Sequence, residues 1–526
     1  MRDFQLPGRS AVYATNGMCA TSHPLAAKVA VDMLQGGGNA VDAAIAAALV
    51  LGIAEPQMTG IGGDCFVLLK PAGEDHIIAL NGSGRAPEGL DPERLRAEGH
   101  KAMPLHSADA VTIPGAVDCF WRLSRDWGRL EFAELLAPAI HYCEEGVPVA
   151  PRTAFDWARA ADCLQGEARR HYLINGKPPA TGQIFRAPGL AEALRLIAEK
   201  GRDAFYAGEI AADMLASLQA AGGSHTLEGF AATACEYTEP VIGQYKDAEL
   251  FEHPPNGQGA TAILMANILK NFDLPGLDPL GAMRAHLEAE AAKLAYDARN
   301  RFIADPAHVD RLDHMLSQAT ADALAALIDP VHAMPDPHAL SEAVHRDTVY
   351  LTVVDRDRCA VSLIHSIYHS FGSGIASERY GILFQNRGAG FSLTAGHPNE
   401  AGGGKRPMHT IIPAFLRRGG QTWMPFGVMG GAYQPTGHVR LMTNLVDYGM
   451  ELQAAIDAPR SFPDAGVLQV ERGYGEDVRE ALREMGHRVV IPEVPLGGAQ
   501  AIIIDESEGV LIGASDPRKD GCALGY

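Results

Sequence analysis

The segment His345-Arg346-Asp347-Thr348 stands directly ahead of Val349-Tyr350-Leu351-Thr352-Val353-Val354-Asp355, a β-branched, strand-forming run. A threonine hydroxyl is a poor nucleophile unless a neighbouring group takes its proton. Were the chain cut on the N-terminal side of Thr348, the new α-amino group, with an ordinary pKa of about 7.7–8.0, could be that base. One residue would then supply both the attacking oxygen and the proton acceptor. Taken alone, Asp347-Thr348 reads better as the mere opening of a strand. A second stretch, Gly60-Ile61-Gly62-Gly63-Asp64, could cradle a phosphate, but it lies between a helix and a strand. A phosphate loop needs the order strand–loop–helix, so that use is disfavoured. The eight cysteines include no C-x-x-C pair, which indicates neither a zinc framework nor a redox motif.

These residues need elements to hold them. Ser22 with His23-Pro24 opens a helix that runs through Gln35 and stops at Gly36-Gly37-Gly38. Asn39 caps the next helix, Ala40 to Leu51, which is apolar nearly all round and therefore buried between layers. The glycine loop then enters a strand, Cys65 to Leu69. Helical patterns dominate from about 120 to 235 and from about 280 to 330. Between them, the loop His253 to Gly259 precedes a helical pattern from Ala260. Thr348 to Asp355, a turn at Asp357-Arg358, and Ala360 to Ile367 read as a hairpin. Helices first and strands late suggest an α/β protein with sheets covered by helices, an αββα sandwich of four layers.

With 526 residues the length prior is two to four domains, and no low-complexity linker, heptad run or repeat divides the chain. Hydrophobic residues make up 47% and charged residues 21%, ordinary for a globular enzyme. The formal charge of −20 argues against nucleic acid or a membrane surface as partner, because both are anionic. It leaves room for a small anionic substrate where local arginines reverse the field. Arg417-Arg418 and the mixed-charge stretch from Glu471 to Glu484 read as solvated surface. The apolar stretch Ala40 to Ala54 contains Asp42 and is too short to span a bilayer. The first residues carry no basic-then-apolar signal, so the expected location is cytoplasmic.

An ordered set of motifs changes the weight given to Thr348. Gly37-Gly38-Asn39-Ala40-Val41-Asp42-Ala43-Ala44, Gly60-Ile61-Gly62-Gly63-Asp64, Arg85-Ala86-Pro87 and Ile113-Pro114-Gly115-Ala116-Val117 come first. Asp347-Thr348, Phe371-Gly372-Ser373-Gly374-Ile375, Gly404-Lys405-Arg406-Pro407, Met429-Gly430-Gly431 and Gly513-Ala514-Ser515-Asp516-Pro517-Arg518-Lys519-Asp520-Gly521 follow. The set resembles the γ-glutamyltransferase family of N-terminal nucleophile hydrolases over nearly the whole chain. The resemblance implies an autocatalytic cut between Asp347 and Thr348. A large chain of residues 1–347 and a small chain of residues 348–526 would then form a heterodimer, open to further pairing, within one αββα unit. It implies Thr348 as nucleophile with its own amine as base, and no metal or organic cofactor. Gly430 and Gly431 would hold the oxyanion through their N–H groups, and Ser366 would take the place of a threonine that hydrogen-bonds the nucleophile. Arg85 would grip a substrate carboxylate through a bidentate fork.

The chain departs from that family where the glutamyl amino group is read. Tyr368 replaces an Asn, Arg387 a Gln or Glu, Gly390 an Asp, and His409-Thr410 a serine pair. A bound ammonium needs a carboxylate partner, and an arginine beside it is unfavourable. Arg85 and Arg387 instead suit a small amide with a carboxylate and no amine, so the pocket looks closer to the oxamate amidohydrolase type. Tyr368, His409 and Thr410 would shape that smaller pocket. The alternatives are γ-glutamyl hydrolysis or transfer on glutathione-like compounds, a cephalosporin-type acylase, and an uncleaved binding module that kept the fold without the chemistry.

Overall fold

A computed structural model describes residue 5, residues 8–335 and residues 348–526. His345, Arg346 and Asp347, and with them the expected cleavage bond, lie outside the described residues.

Two seven-stranded antiparallel sheets form the centre. In the first, the order is Val12–Ala14, Val510–Ser515, Gly498–Asp505, Gln421–Met429, Ala414–Arg418, Ala248–Glu252, Val241–Tyr245. In the second, it is Cys522–Gly525, Met18–Thr21, Val349–Val354, Ala360–Ser366, Asp64–Lys70, Ile78–Gly82, Glu236–Thr238. Strands from before residue 336 and after residue 347 interleave in both sheets. The strand-rich end expected from the sequence is therefore only half of the sheet material. The short strands between residues 236 and 252 escape a reading by pattern, because none is long enough to display a period.

Side-chain alternation explains the four layers. Val349, Leu351 and Val353 pack with the helix Ala40–Ala54, whereas Tyr350 and Val354 point between the sheets. Phe66, Ile364, Ile411 and Met429 join Tyr350 there, and Phe251, Phe415 and Ile502 join Val354. Period-two alternation with both faces buried gives a continuously apolar strand rather than a half-polar one. The helices Gly259–Leu269 and Gln434–Val446 cover the far face of the first sheet through Leu416, Met424, Phe426 and Val428. Helix, sheet, sheet and helix is the expected αββα order.

Local signals set the boundaries. The first helix, Pro24–Gln35, is capped by His23, whose ring accepts from the Leu25 N–H, rather than by Ser22. Ser22 turns instead to Glu55. The helix Ala40–Ala54 starts at a reciprocal box in which the Asn39 side chain accepts from the N–H groups of Val41 and Asp42, while Asp42 accepts from the Asn39 N–H. It runs three residues beyond the expected Leu51, since no polar residue intervenes before Glu55. Among the described residues no helix is long and apolar enough to cross a membrane.

Candidate active site

The hairpin dictates what faces Thr348. Val349 pairs with His365, Tyr350 with Ile364 and so on down to Val354 with Ala360. Continuing that register by one residue sets Thr348 opposite Ser366, on the face directed between the sheets. Their hydroxyl oxygens are 3.2 Å apart. Ser366 Oγ also accepts the Tyr368 N–H at 2.9 Å. Thr348 is 2% exposed and lines a cavity of about 460 Å³ together with Gly430, Tyr433, Phe462, Gly497 and Lys519.

Gly430 and Gly431 end the strand Gln421–Met429 and lead into the helix Gln434–Val446. Their φ values of 125° and 57° suit glycine alone, and a Cβ on Gly430 would stand 2.8 Å from the Gly497 backbone. Free N–H groups and the positive end of a helix dipole favour negative charge at such a point. Gln258 fixes this turn from behind: its Nε2 donates to Gly431 O at 2.9 Å and Thr410 O at 2.7 Å, and Arg299 Nη1 donates to its Oε1 at 2.8 Å.

On the other side of Ser366 lies a buried polar cluster. Arg387 is fully buried, its guanidinium 3.9 Å from the centre of the Tyr368 ring and its Nη1 donating to Thr410 Oγ1 at 3.0 Å. Tyr368 holds φ at 79°, a left-handed conformation that costs a side-chain-bearing residue of order 1 kcal/mol and marks a constrained site. His409 Nε2 donates to Asp64 Oδ2 at 3.1 Å, while its Nδ1 accepts the Ile411 N–H. Burial, and then the charge of Arg387, push the His409 pKa down to about 3 against the pull of Asp64, so the ring is neutral. Burial alone would raise the Asp64 carboxyl, but the hydrogen bond from neutral His409, the charge of Arg387 and the hydrogen bond from Gln385 bring it below its ordinary value. The other Asp64 oxygen accepts from Gly84 N, Gly115 N and Gln385 Nε2. A buried arginine thus has its counter-charge within the same cluster.

The sequence pattern described as gamma-glutamyltranspeptidase matches residues 26–526. The chain belongs to the γ-glutamyltranspeptidase family. A glutathione hydrolase-like proenzyme of Bacillus subtilis is 36% identical over 98% of this chain and 99% of its own. An oxamate amidohydrolase proenzyme of Klebsiella pneumoniae is 34% identical, again over 98% of this chain and 99% of its own. A crystal structure of a cephalosporin acylase from Bacillus halodurans superposes with a TM-score of 0.93 at 38% identity, over 100% of this chain and 99% of that one. The fold is therefore that of the N-terminal nucleophile hydrolases, and the chain is a hydrolase of this family.

Within that frame the residues singled out by sequence divide in three. Thr348, Ser366, Gly430 and Gly431 converge at the cavity end of the sheets. Tyr368, Arg387, His409 and Thr410 form the buried cluster behind Ser366, and none of them lines the cavity. Arg85 stands apart from both. It is 44% exposed and its guanidinium engages Glu236 and Asp305, each at 3.3 Å, and Gly404 O at 3.0 Å. A grip on substrate by Arg85 would require it to exchange one of these carboxylates. Asp64 and Gln258 have positions that sequence reasoning did not assign. Asp64 pairs across the sheet with Ser366, and its only signal is an acid closing a glycine run ahead of an apolar strand. Gln258 carries no signal beyond its place in a glycine-rich loop.

Proposed function

We propose that this family member is a self-processing amidohydrolase acting on a small amide that bears a carboxylate and no amino group, as oxamate does. The observation that carries the reading is the cross-strand placement of Thr348 against Ser366, 3.2 Å apart, with Thr348 opening on the cavity it shares with Gly430. Cleavage between Asp347 and Thr348 frees an α-amine beside the hydroxyl. That amine takes the hydroxyl proton as Oγ1 bonds to the amide carbon, and the Gly430 and Gly431 N–H groups hold the resulting oxyanion. The amine returns the proton to the departing nitrogen, ammonia leaves, and water cleaves the ester to release the acid and restore Thr348. The two products of self-cleavage, residues 1–347 and 348–526, stay together as a heterodimer because their strands interleave in both sheets.

The substrate assignment is supported by the cluster behind Ser366. Where a glutamyl ammonium would need an acid, the chain carries Tyr368, the buried cation Arg387 and Gly390, and the nearby carboxylate of Asp64 is already occupied by His409, Gln385 and two backbone amides. A second reading, γ-glutamyl hydrolysis, is favoured by the 36% identical relative named glutathione hydrolase-like. Purified protein and its Thr348→Ala variant should be assayed for ammonia from oxamate and for aniline release from a γ-glutamyl anilide. Ammonia from oxamate by the wild type only is the expected result; anilide turnover without ammonia would select the second reading.

A further inference from the structure

Outside the lining of the cavity that Thr348 faces, the helix Ala282–Phe302 presents His286 and Glu290 one turn apart on the same face, where residues four apart are neighbours. His487, just beyond the helix Glu476–Glu484, meets them. His286 Nδ1 lies 2.8 Å from His487 Nε2, and Glu290 Oε1 lies 3.9 Å from that same nitrogen. All three side chains are buried, and one donor atom of each falls within 4.8 Å of the others. The surroundings aim these donors. His286 Nε2 is 2.8 Å from the carbonyl of Asp329, which fixes Nε2 as the protonated nitrogen and turns the Nδ1 lone pair toward His487. Glu290 Oε2 accepts the Met334 N–H at 2.8 Å. Contacts of this kind orient metal-bound imidazoles and carboxylates.

We propose that His286, Glu290 and His487 form a site for one divalent transition ion of the zinc class. Two imidazole nitrogens and one carboxylate oxygen suit such an ion, at about 2.0–2.2 Å from each. To admit it, the two nitrogens open by a few tenths of an ångström. His487 shifts its proton from Nε2 to Nδ1, a change between neutral tautomers that releases no proton. Lys293 Nζ donates to Glu290 Oε1 at 2.7 Å and to Met334 O at 2.8 Å. Its ammonium balances Glu290 without a metal and competes with one, because like charges close together in a buried setting repel strongly. Lys293 therefore sets the affinity. The ion would tie the helix to His487 and to the segment around residues 329–334, so its effect is on stability rather than on the chemical step, and it does not depend on the proposed substrate.

The test uses the full chain, stripped with a chelator, equilibrated with zinc chloride and freed of excess before metal analysis. One zinc ion per chain is expected. His487→Ala and Glu290→Gln should retain it at least ~10-fold more weakly, since even the loss of an outer contact costs about 10–100-fold. Lys293→Met should bind it more tightly than the wild type. Cobalt(II) added to the unmutated chain should give the visible bands of a tetrahedral site and lose them to zinc, a readout that needs no variant to fold. Absence of retained zinc and of cobalt bands in the wild type, or equal retention by His487→Ala, would overturn the proposal.

Discussion

Arg387 lowers the pKa of buried Asp64 through its charge, and under the proposed function it would also attract the substrate carboxylate. Replacing it with glutamine removes the positive charge that helps keep buried Asp64 ionised, and leaves hydrogen bonds, including that of neutral His409, to do so alone. Because Arg387 acts on Asp64 through its charge rather than through a contact pair, the cost should stay below the about 3–5 kcal/mol of a broken buried pair. Arg387→Gln should lower Tm by that smaller amount and, under the proposed function, raise KM for a carboxylate-bearing amide. Arg387→Lys keeps the charge but loses the guanidinium contact over the Tyr368 ring and the Nη1 bond to Thr410. It should recover much of the stability and little of the affinity. Calorimetry beside steady-state kinetics separates the two effects. Equal recovery of both by lysine would mean that Arg387 serves the fold alone.

At the scale of elements, the glycine loop before the strand Asp64–Lys70 is a spacer. A Cβ on Gly63 would meet Ser366 O at 2.3 Å, and one on Gly62 would meet Leu383 O at 1.9 Å. Gly63 lets the loop press against the strand end that presents Ser366, and Gly62 lets it press against the segment at Leu383; close packing of backbone, not a phosphate, is what these glycines serve. Gly63→Ala must push backbone aside; overpacking of this kind costs about 1–3 kcal/mol. It should move Ser366 and reduce both Tm and the fraction of cleaved chain seen on a denaturing gel. A fully processed, equally stable variant would refute this role. The hairpin carrying Thr348 and Ser366 could be read from two β-branched runs about a turn, whereas Ser366 as the partner of Thr348 was legible only through the family resemblance; the register within the hairpin supplies the physical reason for their contact. The helix Ala40–Ala54 could be read from its cap and its unbroken apolar run. Asp64 with His409, and Arg85 with Glu236 and Asp305, could not, because separations of 151 to 345 positions leave such contacts to the tertiary fold. The short strands between 236 and 252 were missed for want of length.

Over the whole molecule, burial of neutral histidines sets the response to acid. His23, His225, His253 and His365 are pushed down to about 4, and His409 to about 3, in each case chiefly by burial. Their folded values lie below the ordinary 6.5, so between the two the unfolded chain binds more protons than the folded one. Stability then rises with pH and is lost as pH falls through that window. Glu55, raised to about 7 by burial, works in the opposite sense, as do the raised acids Asp42, Glu252 and Asp355. The five histidines should dominate, so the urea midpoint should drop between pH 7 and pH 4.5; a constant or rising midpoint would contradict this. Interleaved sheets also mean that a cut ahead of Thr348 leaves both pieces locked in one core, releasing a strand end at the site without releasing a domain. The central claim is that this freed end is the working one. Denaturing mass spectrometry of catalytically active protein tests it directly. A component spanning residues 348–526, with Thr348 as its first residue, is the result expected. Full activity in material whose 347–348 peptide bond is intact would contradict it.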